Sequence, residues 1–299
     1  MKETEIAWCD STFNPWWGCV KISPGCKHCY AETFSKRVGL KVWGADSDHR
    51  RFGDKHWNEP RKWNEAARKS GKPRRVFCAS MADVFEGRPE DEADRQRLWR
   101  LIEETPALTW LLLTKRPENM IRFAPWGPWP RNVWAGCTVE DQQHADERIP
   151  HLLRVPAAVR FLSCEPLLGS VDLSRWMPTN QVHSDPRACD GGWCARCLVE
   201  RDMRRSRPLA ESLGWHGLHW VIVGGESGGG ARPFDLAWAR SIREQCTAAG
   251  VAYFFKQAGA FPVLNDDRLD LKDRKGGDLD EIREHAPSVC IREFPAITK

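Results

Sequence analysis

Three cysteines near the N-terminus have the residue type and spacing to bind a metal cofactor. Cys19, Cys26 and Cys29 are separated by six and then two residues within the run TFNPWWGCVKISPGCKHCYAE. The prolines and glycines of this run favour turns, so the loop can bring three thiolates to one point. Three thiolates leave one iron of a four-iron cluster without a protein ligand, and a small chelating cofactor can bind at that iron. Reductive cleavage of S-adenosylmethionine has this chemical requirement.

The same cysteines also fit a zinc site. Cys-x-x-Cys pairs are frequent zinc ligands, and His28 or Cys9 would complete a tetrahedral set with the three cysteines. The spacing alone therefore leaves iron–sulfur and zinc ligation open.

A second group of cysteines lies later in the chain, in the run CDGGWCARC. Cys189, Cys194 and Cys197 follow His183, which is a candidate fourth ligand of a second metal site. The surrounding segment is rich in Pro and Arg and poor in apolar residues, so it needs a cross-link, such as a bound metal, to become ordered. Structural zinc is the first expectation, an auxiliary iron–sulfur cluster the second, and unligated thiols the third.

The overall cysteine content also favours metal binding. The chain contains 12 cysteines, and its N-terminus lacks the apolar run of an export signal. Cytosolic reductants keep thiols reduced, so metal ligation explains clustered cysteines better than disulfides do. No apolar stretch approaches membrane-spanning length. We therefore expect a soluble, cytoplasmic protein with no membrane partner.

The pattern of apolar runs predicts the elements that position these residues. Short runs rich in β-branched and aromatic residues predict strands at 75–79, 109–114, 132–137, 159–163, 219–223 and 251–255, with a first strand near 12–17. Helical patterns cover 91–104, 140–153 and 235–249, the last with Asp235 as N-cap and Gly250 as its stop. Alternating strands and helices predict a mostly parallel sheet. About seven such units suit a closed or partly open α/β barrel, with a doubly wound open sheet as the alternative.

Two stretches interrupt this alternation. Residues 40–72 are rich in charge and Trp, and residues 177–217 or thereabouts contain the second cysteine group. We interpret both as insertions on the barrel. The predicted organisation is one barrel-like catalytic domain over 1–264, followed by a C-terminal extension over 265–299.

Polar residues follow most of the predicted strands. In a parallel barrel the carboxyl ends of the strands form the rim of the active site. S-adenosylmethionine presents an amino group, a carboxylate, a ribose diol and an adenine, so its site needs carboxylates, a cation and backbone groups. The candidates for cofactor binding are Ser80, Asp83, Thr114, Lys115, Glu165, Glu226 and Lys256, and further polar residues at the same rim are Arg116, Thr138, Glu140, Ser163, Ser227 and Gln257.

One of these candidates lies in the glycine-rich run GGESGGG, at Gly224 to Gly230. The glycines permit close approach of a ligand to the backbone. Their spacing is not that of a dinucleotide-binding motif, and Glu226 would repel a phosphate. We therefore expect this loop to contact an amino or hydroxyl group.

Several motifs carry a family resemblance. Asn14, Pro15, Gly18, Cys19, Cys26, Cys29 and Tyr30 resemble the motif region of spore photoproduct lyase-like radical S-adenosylmethionine (radical SAM) proteins. The wider chain is similar to a phage-associated three-cysteine-motif family of radical-SAM-like proteins, through SMADVFE, LLTKRPE, GGESG, FFKQ and the group Ser163, Glu165 and Pro166. The first cysteine gap is six residues where three is usual, and His28 stands where an aromatic residue usually precedes the last cysteine.

This resemblance implies a fold and a chemistry. The fold would be a radical-SAM-like (partial) TIM barrel of mostly parallel strands. Cys19, Cys26 and Cys29 would hold a [4Fe-4S] cluster, with S-adenosyl-L-methionine as cofactor and a deoxyadenosyl radical as the reactive species. An external electron donor would be a partner, and a further partner protein is also a candidate.

Basic and aromatic segments bear on the substrate. The formal net charge is only +4, but basic clusters at 61–75 and 201–207 and several Trp-rich segments suit phosphate contacts and base stacking. A nucleic-acid base or nucleotide is therefore the first expected substrate. Two alternatives stay open: a zinc-stabilised nucleic-acid-binding protein without catalysis, and a partner-dependent iron–sulfur electron-transfer module.

Overall fold

The protein is built around one parallel sheet. The structure, a computed structural model, describes residues 4–178 and 217–296. Seven parallel strands curl into a half-barrel. In chain order they are β1 (Ser11–Thr12), β2 (Arg74–Cys78), β3 (Leu108–Thr114), β4 (Val133–Thr138), β5 (Arg160–Cys164), β6 (Trp220–Gly224) and β7 (Ala252–Gln257).

The spatial order of the strands decides between the predicted architectures. Each strand pairs with the next one along the chain, and every pairing is parallel. A doubly wound sheet reverses its strand order at a switch point, so that alternative is wrong. Strands β1 and β7 do not pair with each other among the described residues. The barrel is therefore partial.

Helices cover the convex side of the sheet. They are α1 (Tyr30–Arg37), α2 (Asp54–Trp57), α3 (Glu59–Ser70), α4 (Glu92–Glu104), α5 (Met120–Phe123), α6 (Gln142–Leu153), α7 (Leu236–Ala249) and α8 (Leu279–His285). Short 3₁₀ helices lie at Pro24–Cys26, Pro89–Asp91, Pro117–Asn119, Ser174–Trp176 and Pro287–Val289. No helix of the described residues combines the length and apolarity needed to cross a bilayer.

The predicted elements are largely present. Six of the predicted strands and all three predicted helices agree with the structure within two residues. In α7 the Asp235 side chain accepts a hydrogen bond from the backbone N–H of Ala237, and Gly250 ends the helix with a φ of 67°. That left-handed conformation is one that glycine adopts without strain. The predicted N-cap and stop are therefore confirmed.

The first strand and the stretch 40–72 differ from the prediction. Only Thr12 of the predicted strand joins the sheet, together with Ser11 before it, whereas Trp16–Trp17 pairs antiparallel with Arg50–Arg51. The second half of 40–72 is α3, which buries Trp63 and connects β1 to β2. Because charged residues occupy its outer face, this crossover helix has the composition of a surface insertion. The other predicted insertion lies almost entirely outside the described residues.

The two faces of the sheet carry different cores. Alternating residues of each strand point to opposite faces. Residues such as Val76, Leu112 and Val223 pack beneath the helices. On the concave face a mainly aromatic cluster forms from Trp8, Cys9, Phe77, Leu111, Trp134, Val159, Phe161, Trp220, Ile222 and Phe254. The half-barrel is thus filled by side chains rather than open through its length.

The C-terminal extension covers the free edge of the sheet. The backbone N–H of Phe255 donates to the Ile291 carbonyl at 2.8 Å, and Glu293 N–H donates to the Tyr253 carbonyl at the same distance. The Trp220 indole donates to the Glu293 carbonyl at 2.9 Å. The two backbone bonds satisfy groups of β7 that an exposed edge would leave unpaired.

Candidate cofactor and substrate site

One cavity at the carboxyl ends of the strands collects most of the predicted site residues. Its volume is about 510 Å³, and we call it the cysteine cavity. Cys19, Cys26 and Cys29 line it together with six of the seven predicted cofactor-binding residues, namely Ser80, Asp83, Thr114, Lys115, Glu165 and Lys256. Trp8, Phe77 and Leu113 supply apolar wall from the concave core. The rim predicted from the strand ends is therefore one continuous site.

Cys19 is held by charged residues from two strand ends. The Arg116 guanidinium donates to the Val20 carbonyl at 2.9 Å and lies 3.9 Å from the Cys19 Sγ. Glu86 accepts the Val20 N–H at 3.0 Å. Burial, together with the carboxylates of Asp83 and Glu86, raises the pKa of the Cys19 thiol well above its ordinary value, while Arg116 opposes that shift. Arg116 is thus the cation that stabilises a thiolate at this position.

Cys26 lies in a segment fixed by the end of β4. The hydroxyl of Ser23 donates to the buried Glu140 carboxylate at 2.5 Å, and Arg148 donates to the other Glu140 oxygen at 2.6 Å. Burial opposes ionisation of Cys26, but the Lys115 ammonium and hydrogen bonds from the Ile22–Ser23 segment lower the pKa of its thiol below the ordinary value. This thiol is therefore poised to ionise and ligate a metal.

Cys29 immediately precedes α1, and its neighbours connect the loop to β2. The Tyr30 hydroxyl donates to the Ser80 carbonyl at 2.9 Å. Asn14 accepts the Met81 N–H at 2.7 Å and donates to the Ser80 hydroxyl at 3.1 Å. Ser80 is therefore fixed by its neighbours while its side chain lines the cysteine cavity.

Asp83 is occupied by protein donors. Its carboxylate accepts the Thr114 hydroxyl at 2.6 Å, the Lys115 N–H at 3.1 Å and the Arg116 guanidinium at 3.0 Å. It also accepts the Phe85 N–H at 3.0 Å. Four donors therefore satisfy this carboxylate. Its bonds, including the one from Thr114, connect the segments that follow β2 and β3.

An ion pair lies at the ends of β5 and β7. The Lys256 Nζ is 2.9 Å from one oxygen of Glu165, and the Ser163 hydroxyl donates to the other oxygen at 3.2 Å. The Glu165 side chain is mostly buried, whereas that of Lys256 is partly exposed to the cavity. One cation and one carboxylate therefore stand side by side, which is the charge pattern that the amino and carboxylate groups of an amino acid require.

Glu226 does not line the cysteine cavity. Its carboxylate accepts the Arg232 backbone N–H at 2.9 Å and pairs with the Arg232 guanidinium through both oxygens. It also lies 3.3 Å from the His28 Nδ1, and Arg232 reaches the Pro24 carbonyl at 3.0 Å. Burial opposes ionisation, but Arg232 lowers the pKa of Glu226. Glu226 thus fastens the glycine-rich loop to the cysteine loop.

The possible metal sites differ in what the structure shows of them. In the residues 4–178 and 217–296, no three His, Cys, Asp or Glu side chains lie close enough together to hold a single metal ion. A [4Fe-4S] cluster makes a different demand, because each cysteine binds its own iron atom. Burial raises the pKa of the Cys9 thiol to about 12, which disfavours it as a ligand. The predicted second site of His183, Cys189, Cys194 and Cys197 lies outside the described residues.

Sequence reasoning assigned no role to the residues that hold the cysteine loop. Arg116 and Glu140 were recognised only as polar residues at the rim, and Arg232 was not singled out. Their contacts join segments far apart in sequence, so no local pattern indicates them. The available signal for Arg116 and Glu140 is a charged residue two positions after a strand end.

Comparison with known proteins adds a family but no activity. A search of curated proteins finds no match to this chain. A family model described as a protein of unknown function matches residues 3–286, which is nearly the whole chain. The chain therefore belongs to the DUF5131 family.

Proposed function

We propose that this protein is a radical S-adenosylmethionine enzyme in which Cys19, Cys26 and Cys29 hold a [4Fe-4S] cluster. The observation that carries the proposal is that these three cysteines and six of the predicted cofactor-binding residues line the same cavity, the cysteine cavity. Active sites of parallel barrels lie at this end of the sheet.

The donor chemistry fits such a cluster. The three thiols lie on one loop, and Arg116 and Lys115 place positive charge beside Cys19 and Cys26. That charge lowers the pKa of the Cys26 thiol and reduces the cost of burying the Cys19 thiolate. Three protein thiolates leave one iron for an exchangeable ligand. When bound, the cluster supplies an electron that cleaves S-adenosylmethionine and yields a radical able to abstract hydrogen from a substrate.

The protein residues bind and orient the reactants. Lys256 and Glu165 present a cation and a carboxylate to the amino-acid part of S-adenosylmethionine. Lys115 adds a second cation to the lining of the same cavity. The aromatic side chains Trp8 and Phe77 form an apolar floor that limits access of water. A protected cavity of this kind keeps a reactive species from side reactions.

The test is metal analysis of the full chain purified without oxygen. We expect about four irons and four sulfides per chain at the first cysteine site, and an electron paramagnetic resonance spectrum that changes when S-adenosylmethionine is added. A C19A/C26A/C29A variant should lose this iron. C246A, which removes a thiol buried in α7, is the matched control and should retain it.

Product analysis completes the test. Reduced, reconstituted protein should release deoxyadenosine from S-adenosylmethionine, and the triple cysteine variant should release none. Zinc alone at Cys19, Cys26 and Cys29, with no deoxyadenosine under any reductant, would refute the proposal.

A further inference from the structure

A second cavity adjoins the cysteine cavity. Its volume is about 710 Å³, and it lies between the glycine-rich loop and the segment 259–275. We call it the glycine-loop cavity. Ser227, Asp273 and Lys275 line both cavities. The two cavities therefore meet at these residues.

The glycine-rich loop offers unused hydrogen-bond donors to this cavity. In the part of the chain that the structure describes, the peptide N–H groups of Ser227, Gly228, Gly229 and Gly230 donate to no protein acceptor. Open space surrounds the Cα hydrogens of Gly228 and Gly229, since a Cβ at either position would meet no atom within 4 Å. Consecutive backbone N–H groups without acceptors form the kind of concavity that binds anions.

Three cations, Arg268, Arg274 and Lys275, also line this cavity. No carboxylate among the described residues lies within ion-pair distance of Arg274 or Lys275. Arg268 stacks on the Phe261 ring at 4.6 Å and keeps its charge available. Two carboxylates also line the cavity, those of Asp270 and Asp273.

The carboxylate of Asp273 already accepts hydrogen bonds from the backbone. Asp273 accepts N–H groups from Lys275, Gly277 and Asp278 at 3.0, 2.7 and 3.0 Å. These bonds, together with the charge of Lys275, lower the pKa of Asp273. Besides Asp273, the cavity is therefore lined by three cations and one carboxylate, that of Asp270.

The structure also removes the objection to an anion at this loop. From the sequence, Glu226 was expected to repel phosphate. Its carboxylate instead faces Arg232 and His28 on the side of the cysteine loop, and Glu226 lines neither cavity. The negative charge closest in sequence is thus paired with the Arg232 guanidinium.

We infer that the glycine-loop cavity binds the phosphate group of a nucleotide, either free or within a nucleic-acid chain. The peptide N–H groups of 227–230 and the side chains of Arg274 and Lys275 are its ligands. If the proposed radical chemistry holds, the sugar and base extend past Ser227 into the cysteine cavity, where hydrogen abstraction takes place.

The experiment measures binding of inorganic phosphate to the full chain by calorimetry at low ionic strength. Loss of two charge-assisted contacts predicts at least about tenfold weaker binding in R274Q/K275Q. The control K36Q/R37Q removes the same charge from the exposed last turn of α1, outside both cavities, and should bind within about twofold of the wild type. Equal weakening in both variants, or no saturable binding to the wild type, would overturn the inference.

Competition identifies the source of the phosphate. Adenosine 5′-monophosphate that displaces phosphate where adenosine does not would assign a free nucleotide. Displacement by an oligonucleotide without terminal phosphates would assign a nucleic-acid chain, and displacement by neither would overturn the inference. None of these readouts needs a cluster, so a phosphate site without deoxyadenosine release would leave this inference standing while refuting the radical mechanism.

Discussion

The two ends of the half-barrel's concave side differ in what fills them. Toward the amino ends of the strands, Trp220 packs against Trp134 and Phe161 with ring centroids 6.1 and 5.7 Å apart, and Trp8, which also lines the cysteine cavity, lies 6.3 Å from Trp220. Toward the carboxyl ends, ion pairs and three cysteines surround a cavity. At the aromatic end, burial of apolar area stabilises the fold. At the polar end, burial of charges and thiols reduces that stability. Substitutions at the two ends should therefore have separable effects.

The largest effect on stability is expected at the aromatic end. Trp220 is fully buried and contacts Trp8, Phe161 and Phe254. Trp220→Ala should lower the free energy of unfolding by about 4 kcal/mol, because it removes the buried ring and leaves a cavity. Urea unfolding followed by circular dichroism measures this. Trp17→Ala, at a partly exposed position outside this cluster, should cost less than half as much; equal losses would contradict the comparison.

A smaller loss is expected where the polar end buries charge. Arg116 lies 3.0 Å from Asp83 and 3.6 Å from Glu86, and all three side chains are at least nine-tenths buried. Arg116→Met leaves two buried carboxylates without their cation and should cost about 3 kcal/mol. Arg116→Lys keeps the charge but loses the forked geometry, so about half that loss is expected. An R116M protein as stable as the wild type would show that this network contributes nothing.

The sequence predicted the frame of this site better than its internal contacts. The strands β2 to β7 each contain a short apolar run, and their polar ends meet because parallel strands bring their carboxyl ends to one edge. That inference needed only local patterns. The pairing of Glu226 with Arg232, and of Glu140 with Ser23 and Arg148, depends on how loops fold across the rim. Local pattern carries no information about such contacts, so Glu226 was expected to face the cofactor.

A modest, pH-dependent effect is expected at the junction of the two loops. The folded state lowers the pKa of Glu226 from its ordinary value of 4.5, so its pairing stabilises the protein above that pH and is lost as the pH falls through the folded-state pKa. Glu226→Gln should cost about 1 kcal/mol at pH 7, because Arg232 is partly exposed. The difference from wild type should shrink as the pH falls below 4.5, whereas Glu118→Gln, at an exposed position, should make no difference at either pH. A constant difference across that range would contradict the assignment.

The smallest effect on the metal-free protein is expected at the cysteines themselves. Cys26 is half-buried and its Sγ has one neighbouring hydroxyl, that of Ser23 at 3.6 Å. Cys26→Ser should change the free energy of unfolding of the metal-free chain by no more than about 0.5 kcal/mol. Reconstitution with iron and sulfide should then raise the melting temperature of the wild type, since a ligand that binds only the folded state stabilises it, and should leave the variant unchanged. A variant that gains as much stability as the wild type would show that Cys26 is not a ligand. Cluster binding would then not explain why the polar end buries charges and thiols.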